Sequence, residues 1–241
     1  MLTAVALTPS ERVDSIDWSA ARADLDANGC SLLHNLLNPE ECAELAHSYN
    51  DDAQFRSRVV MSRHGFGRGE YKYFAYPLPE LIQQLRTALY PHLADIANAW
   101  NEALGEAQRF PLEHAEFLDR CHRSGQTRPT PLLLQYGAGD FNCLHQDVYG
   151  ENVFPLQVAI LLSAPHRDFT GGEFVLTEQR PRMQSRAEVV PLQQGSGVIF
   201  PVRYRPVRGS KGVYRVNMRH GVSRLHSGTR HTLGIIFHDS Q

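Results

Sequence analysis

Beyond residue 131 the sequence breaks into short apolar runs separated by Gly, Pro and Asp clusters, and nothing else in the chain constrains its fold as tightly. The runs fall at 132–136, 156–162, 172–176, 189–192, 197–202, 214–218 and 232–237. Seven short strands at such spacing are the pattern of an all-β sandwich or barrel. The preceding part has helical texture. Ile16, Ala20, Ala23, Leu25 and Ala27 share a helical period that stops at Gly29, a C-terminal glycine. Asn38-Pro39-Glu40-Glu41 combines an N-cap, a first-position proline and first-turn acids. Residues 30–33 read as a short strand between these two helices. Leu81, Leu85, Leu89, Leu93, Ile96 and Trp100 give one apolar face to a long helix over 79–104, and another helix begins near Pro111 and ends before Gly125. Helices first and strands afterwards predict an α+β chain: a double-stranded β-helix (jelly-roll) core with the N-terminal helices packed on one sheet. Residues 1–241 read as a single domain, 1–130 mainly helical and 131–241 the jelly-roll catalytic core. The helical part is too small to enclose a core alone.

Bulk properties narrow the setting. The chain is 42% hydrophobic and 21% charged, close to an ordinary globular protein. No apolar run approaches the length of about eighteen residues needed to span a membrane, so no membrane partner is expected. The start, MLTAVALTPSERVD, lacks a basic segment and does not read as a signal peptide. Cys30, Cys42, Cys121 and Cys143 are far apart with no CxxC pair, which fits a reducing, cytoplasmic location and argues against a disulfide framework or zinc knuckle. The net charge of −2 hides a polarity: residues 1–179 hold 13 Lys/Arg against 24 Asp/Glu, and residues 180–241 hold 11 against 2. Pairing between the two halves explains such blocks as well as an anionic partner does.

The chemistry centres on Tyr136-Gly-Ala-Gly139-Asp-Phe-Asn-Cys-Leu-His145-Gln-Asp147. On a strand, residues i and i+2 point the same way, so His145 and Asp147 aim an imidazole and a carboxylate into one cavity. An HxD pair alone says little in a chain with 12 histidines, where surface polarity is the ordinary explanation. A second cluster changes that: His220 lies ten residues before Arg230, just ahead of the final apolar strand. Two nitrogens and one oxygen on one face of a metal leave three positions for a bidentate cosubstrate and dioxygen, as in non-haem Fe(II) oxygenases.

On these residues the sequence resembles the Fe(II)/2-oxoglutarate-dependent dioxygenase superfamily. The spacing of Tyr136, Gly139, His145 and Asp147 is similar to the prolyl-hydroxylase-like branch, as are Asp168-Phe-Thr-Gly171-Gly172-Glu173 and the tail of His220, Gly221, Val222, Gly228 and Arg230. The likeness spans about residues 131 to 238. It implies that His145, Asp147 and His220 are the catalytic iron ligands, and that Arg230 pairs bidentately with the distal carboxylate of 2-oxoglutarate. Thr232, on the same strand face, would add a hydroxyl, and Tyr136 a phenol donor. An ordinary β-forming threonine and a core tyrosine explain those two equally well. His226, His231 and His238 lie nearby, but only His220 has the ten-residue interval. Fe(II), 2-oxoglutarate and O2 are then the cofactors. The implied product is hydroxylated, or dealkylated where the attacked carbon is bound to nitrogen.

The substrate is less tightly constrained. Residues 55–74, 129–137, 145–151 and 169–192 resemble a bacterial family labelled as oxidative dealkylases of damaged DNA, and the HQD triplet is similar to AlkB-like repair dioxygenases. That likeness implies alkylated single-stranded DNA as partner. The AlkB-type pattern has a second arginine six residues beyond the first; here that position is Ile236. Arg180, Arg182, Arg186, Arg203, Arg205, Arg208 and Lys211 are candidates for tracking phosphates. Residues 63–74 mix glycines, cations and aromatics, suited to stacking an exposed base or to covering any substrate. The alternatives are a hydroxylase of a peptide, amino acid or small molecule, and a metal-binding jelly-roll without turnover. Arg230 argues against the last, which would not need a carboxylate anchor.

Overall fold

The computed structural model describes residues 7–148 and 150–241. Five α-helices occur among them: α1 (Pro9–Asp14), α2 (Trp18–Asn28), α3 (Pro39–Ser48), α4 (Glu80–Ala103) and α5 (His114–Arg123). The first four strands are β1 (Ser31–Leu33), β2 (Phe55–Val60), β3 (Gly67–Arg68) and β4 (Glu70–Phe74). Next come β5 (Leu132–Tyr136), β6 (Phe141–His145), β7 (Leu156–Leu161), β8 (Phe169–Gly171) and β9 (Phe174–Gln179). The chain ends through β10 (Arg186–Val190), β11 (Gly197–Pro201), β12 (Tyr204–Gly209), β13 (Gly212–Val222), β14 (Leu225–Gly228) and β15 (Arg230–Ile235).

Local signals place α2 to α5 as read, whereas α1 was not expected. Asn38 accepts from the Glu41 N–H at 2.8 Å, and the Glu41 carboxylate accepts from the Asn38 N–H at 2.8 Å, a complete capping box. α2 stops at Gly29, whose φ of 79° is left-handed. A Cβ there would lie 2.7 Å from Met218 and 3.0 Å from Arg205, so the glycine serves both the turn and the packing. α4 buries Ile82, Leu85, Leu89, Leu93, Ile96 and Trp100 on one face, together with Arg86 and Tyr90.

The strands form two antiparallel sheets. One runs β1-β11-β7-β15-β5-β4-β2; the other runs β10-β9-β13-β6-β3, with β12 also paired to β13. Leu133, Val158, Ile160, Ile199, Leu233 and Ile235 turn one face of the first sheet toward the apolar faces of α4 and α5. The opposite face of that sheet and the inner face of the second share a separate core, with Tyr136, Ala159, Phe174, Phe200 and Val222 among its members. This is the expected jelly-roll with helices on one sheet.

The first third contributes more strand than its sequence announces. β1, β2 and β4 extend the seven-stranded sheet and β3 edges the other. Residues 63–74, with their mixture of glycines, cations and aromatics, therefore cross from one sheet to the other. β4 alternates faces: Lys72 reaches the Tyr49 carbonyl at 2.7 Å on the helical side, whereas Tyr71 and Tyr73 line the space between the sheets. The run at 172–176 leads into β9, and β8 precedes it across Gly171 and Gly172, which adopt φ of 71° and 66°. The run at 214–218 is the middle of an eleven-residue strand that reaches His220.

Candidate metal centre and cosubstrate pocket

β6 and β13 pair so that His145 stands directly opposite His220, with the register irregular between His220 and Val222. Such irregularities re-aim side chains beside active sites. Here the imidazole centroids come within 4.1 Å. Asp147 lies two residues past the end of β6, not within it, yet its carboxylate still turns to the same point. Oδ1 is 3.5 Å from His145 Nε2, and Oδ2 is 3.3 Å from His220 Nε2. One ligand atom from each of the three residues lies within 4.8 Å of the others, the only such group of three or more among the described residues.

The surroundings prepare these groups as ligands. His145 Nδ1 donates to the Cys143 carbonyl at 2.8 Å, which leaves Nε2 as the lone-pair nitrogen. Burial, assisted by His220, lowers the His145 pKa and favours the neutral ring. Burial pushes the Asp147 carboxyl up, but the His220 hydrogen bond, both imidazoles and Gln157 outweigh it and hold Asp147 below the usual carboxylate range. Phe200 and Phe174 wall the His220 ring at centroid distances of 4.6 and 6.1 Å. His220 Nδ1 is buried without a hydrogen-bond partner. His231 faces elsewhere, toward Gln135 at 2.9 Å, and His238 accepts from the Phe154 N–H, so neither joins the cluster.

On β15, Arg230, Thr232 and Gly234 share one face with Ile236 just beyond, and all four line the same cavity of about 130 Å³. Arg230 is 1% exposed and its guanidinium donates to the Thr232 hydroxyl, while its Nε has no partner among the described residues. Burial pushes its pKa down to about 10. Its guanidinium sits 5.7 Å from the Tyr136 ring centroid and 5.8 Å from that of Phe169. Tyr136 pairs with Arg230 across β5 and β15, and its buried hydroxyl makes no hydrogen bond of ordinary geometry among the described residues, with Asn142 beside it in the same cavity. A buried cation and a buried phenol with unused donors form a receptacle for a carboxylate. The N,N,O cluster beside them has the donor set that suits Fe(II). The six residues expected from sequence thus line one cavity.

Residues 69–240 match the Oxygenase-NA family, described as an oxygenase catalysing oxidative methylation of damaged DNA. The chain belongs to this family. Uncharacterized protein Rv2227 of Mycobacterium tuberculosis is 52% identical over 167 residues, covering 69% of this oxygenase and 72% of the relative. The fold is shared with a Trichoplax adhaerens prolyl hydroxylase solved with a hypoxia-inducible-factor peptide, at a TM-score of 0.56 and 14% identity over 93% of this chain and 89% of that one. A Burkholderia pseudomallei oxidoreductase of the 2OG-Fe(II) oxygenase family gives a TM-score of 0.55 at 15% identity, over 94% and 93% of the two chains. By family the chain is an oxygenase, and its fold is the one shared with these prolyl-hydroxylase and 2OG-Fe(II) oxygenase structures. No helix among the described residues is long and apolar enough to cross a membrane.

One feature of the oxygenase escaped the sequence reading, whereas the aromatics of residues 63–74, singled out there, do reach the cavity. Gln157, the second residue of β7, donates to Asp147 Oδ2 at 2.9 Å. Its signal was a lone amide inside the apolar run Leu156–Leu161. Phe66, Tyr71 and Tyr73 line the cavity on its aromatic side. The basic stretch, by contrast, is not one uniform surface. Arg205 is 1% exposed, bound to the Glu178 carboxylate and to the carbonyls of Asp26 and Ala27 at the end of α2. This removes Arg205 from the phosphate candidates; it caps a helix C-terminus instead. Arg180 pairs with Glu178 at 2.6 Å, and Arg215 with Glu106. Pairing between the halves thus accounts for part of the charge polarity, while Arg182, Arg203, Arg208, Lys211 and Arg219 remain exposed.

Proposed function

We propose that this oxygenase takes alkyl groups off damaged single-stranded DNA, with iron held by His145, Asp147 and His220 and 2-oxoglutarate anchored by Arg230. The reading rests first on one observation: a buried, acid-free arginine with unused donors lies in the same cavity as the N,N,O cluster. Thr232 orients the guanidinium, and the Tyr136 hydroxyl offers a further donor to a carboxylate placed there. Phe174 and Phe200 wall the His220 side of the cluster. When bound, Fe(II) supplies the reduction of dioxygen, coupled to decarboxylation of 2-oxoglutarate, that places oxygen in an unactivated C–H bond. On an N-methyl group the balance gives N–CH2OH, succinate and CO2, and the hydroxymethyl then leaves as formaldehyde. The reaction removes the alkyl group, so its net effect is dealkylation.

The lining also bears on substrate class. Besides the histidines, Asp147 and Arg230 are the charged side chains lining the cavity, and the remaining wall is largely apolar or aromatic. A free amino acid would bring an ammonium and a carboxylate with no partners there. An alkylated base, presented by a polymer held outside, fits such a wall. Ile236, where the AlkB-type pattern has its second arginine, keeps that part of the cavity apolar. The helices and both sheets are taken as one functional unit. A location inside the cell, where DNA is found, belongs to the same reading and agrees with four free cysteines.

The test is Fe(II)-loaded protein with 2-oxoglutarate and a methylated single-stranded oligonucleotide. Formaldehyde should appear in step with succinate, and His145→Ala should abolish both without lowering the melting temperature. Succinate formation stimulated by proline-containing peptides, with no formaldehyde from the oligonucleotide, would instead assign a peptide hydroxylase.

A further inference from the structure

The turn from Met61 to Gly69 is built as a rigid outcrop beside the mouth of the cavity. The Phe66 N–H donates to the Met61 carbonyl at 3.1 Å, and the Phe66 carbonyl accepts from the Cys143 N–H at 2.9 Å, two residues before the first metal-cluster histidine. Gly67, at φ 131°, lies so close to β6 that a Cβ would sit 2.3 Å from the Phe141 carbonyl oxygen. Only glycine permits that approach, and the approach fixes the turn against the strand that carries His145. Phe66 is 40% exposed although it also lines the cavity. The His64 ring stacks on it at 5.3 Å between centroids and 24° between planes. Arg63 and Arg68, on either side of this pair, are exposed as well. The Arg68 side chain is 62% exposed, and its contact with Asp140 is long, at 3.8 Å.

We propose that Phe66 and His64 form a stacking platform for an unpaired base of a single-stranded nucleic acid, with the adjoining phosphates taken by Arg63 and Arg68. The proposal deepens the DNA reading above and rests on it. A polar surface gains nothing by exposing an aromatic ring that a fixed turn holds in place. A base gains from stacking whatever its sequence, and the flanking cations match the backbone that accompanies it. The platform lies next to the cluster, so a strand held there delivers its neighbouring nucleotide to the cavity. The occupant favoured is nucleic acid over peptide because two arginines bracket the aromatic pair, an arrangement complementary to a polyanion.

The experiment uses the full chain with Fe(II), 2-oxoglutarate and fluorescein-labelled single-stranded oligonucleotides, methylated and unmethylated. Phe66→Ala should raise the KM for the methylated strand and the Kd for the unmethylated one by about tenfold. Phe66→Trp should restore both, and its added indole emission should be quenched by unlabelled strand. Arg63→Gln with Arg68→Gln should reduce the slope of log affinity against log salt by about 1.4, at about 0.7 per lost phosphate contact. Wild-type turnover on DNA, with Phe66→Ala binding as tightly as wild type and no quenching in Phe66→Trp, would overturn the platform and leave the DNA reading standing. Absence of binding and turnover by the wild type at low salt would overturn both.

Discussion

Arg86 and Arg230 are equally sealed from solvent, at 0% and 1% exposure, yet their surroundings are opposite. Arg86, on α4, donates from all three of its guanidinium nitrogens. Nε donates to the Ile236 carbonyl at 2.9 Å, Nη1 to the Tyr76 hydroxyl at 3.1 Å, and Nη2 to the His238 carbonyl and to Asp239 Oδ1 at 3.2 and 2.8 Å. Asp239 in turn accepts from Tyr76 and contacts His122, each at 2.8 Å. Arg230 faces no acid at bonding distance and leaves Nε unused. The first arginine closes the structure by tying the tail after β15 to a helix. The second keeps a buried donor that no group among the described residues answers. Burial alone does not separate structure from function here; the unanswered donor does. Arg205, buried but satisfied by Glu178 and the end of α2, falls on the structural side.

The comparison is broken most directly at Arg86. Removing one partner of a buried ion pair costs about 3–5 kcal/mol, because the other charge stays buried and unpaired. Arg86→Leu should therefore lower stability by about that amount, or roughly 10 °C in a melt at the 2–4 °C per kcal/mol expected for a chain of such length. Added 2-oxoglutarate should not restore the loss specifically. A melt unchanged within a degree would show that the Arg86–Asp239 knot does not hold the C-terminal segment.

Arg230→Ala should do the reverse. The ligand-free protein should melt no lower than wild type, since an incompletely paired buried charge is removed. The cosubstrate should lose its anchor, at a cost of about 2–5 kcal/mol as for truncating one side of a buried charge pair. That is about a 30-fold or larger rise in the 2-oxoglutarate requirement, from 1.4 kcal/mol per tenfold. The thermal upshift normally given by saturating 2-oxoglutarate should shrink accordingly. An unchanged requirement would transfer the anchor to another cation, with exposed Arg219 and Arg224 the first to examine.

How much of this contrast the sequence carries depends on whether the signal is local. The capping box at Asn38, the glycine stop at Gly29 and the faces of β5 and β15 follow from residue type and period, and they were legible. His145, Asp147, His220 and Arg230 were legible through spacing. Arg86 was less so, although its place among Ile82, Leu85, Leu89 and Tyr90 on the buried stripe of α4 marks it as a charge in need of a partner. That partner, Asp239, lies 153 residues away, and no local pattern pairs them. β2 and β4 were hidden because FRSRVV lacks period-two alternation, and EYKYF, which has it, is only five residues long and follows three closely spaced glycines. Their register comes from pairing with each other and with β5, not from the segment itself.

The smallest expected effect sharpens the comparison inside the site. Gln157 is a buried polar group whose donor is answered, but answered by a proposed metal ligand. By the logic of Arg86 it would be structural; by its partner it belongs to the metal centre. Its amide fixes one oxygen of Asp147, which limits how the carboxylate turns toward His145 and His220. Such outer partners of metal ligands are typically worth about 10- to 100-fold in metal affinity. Gln157→Leu keeps the apolar character of β7 and should weaken Co(II) or Fe(II) binding by about that factor in competition with a chelator, while the melt of the metal-free protein changes little. A large loss of stability with unaltered metal affinity would place Gln157 with Arg86. Weaker metal binding on an intact fold would place it with Arg230, as a group whose hydrogen bond serves a ligand that the chain itself does not contain.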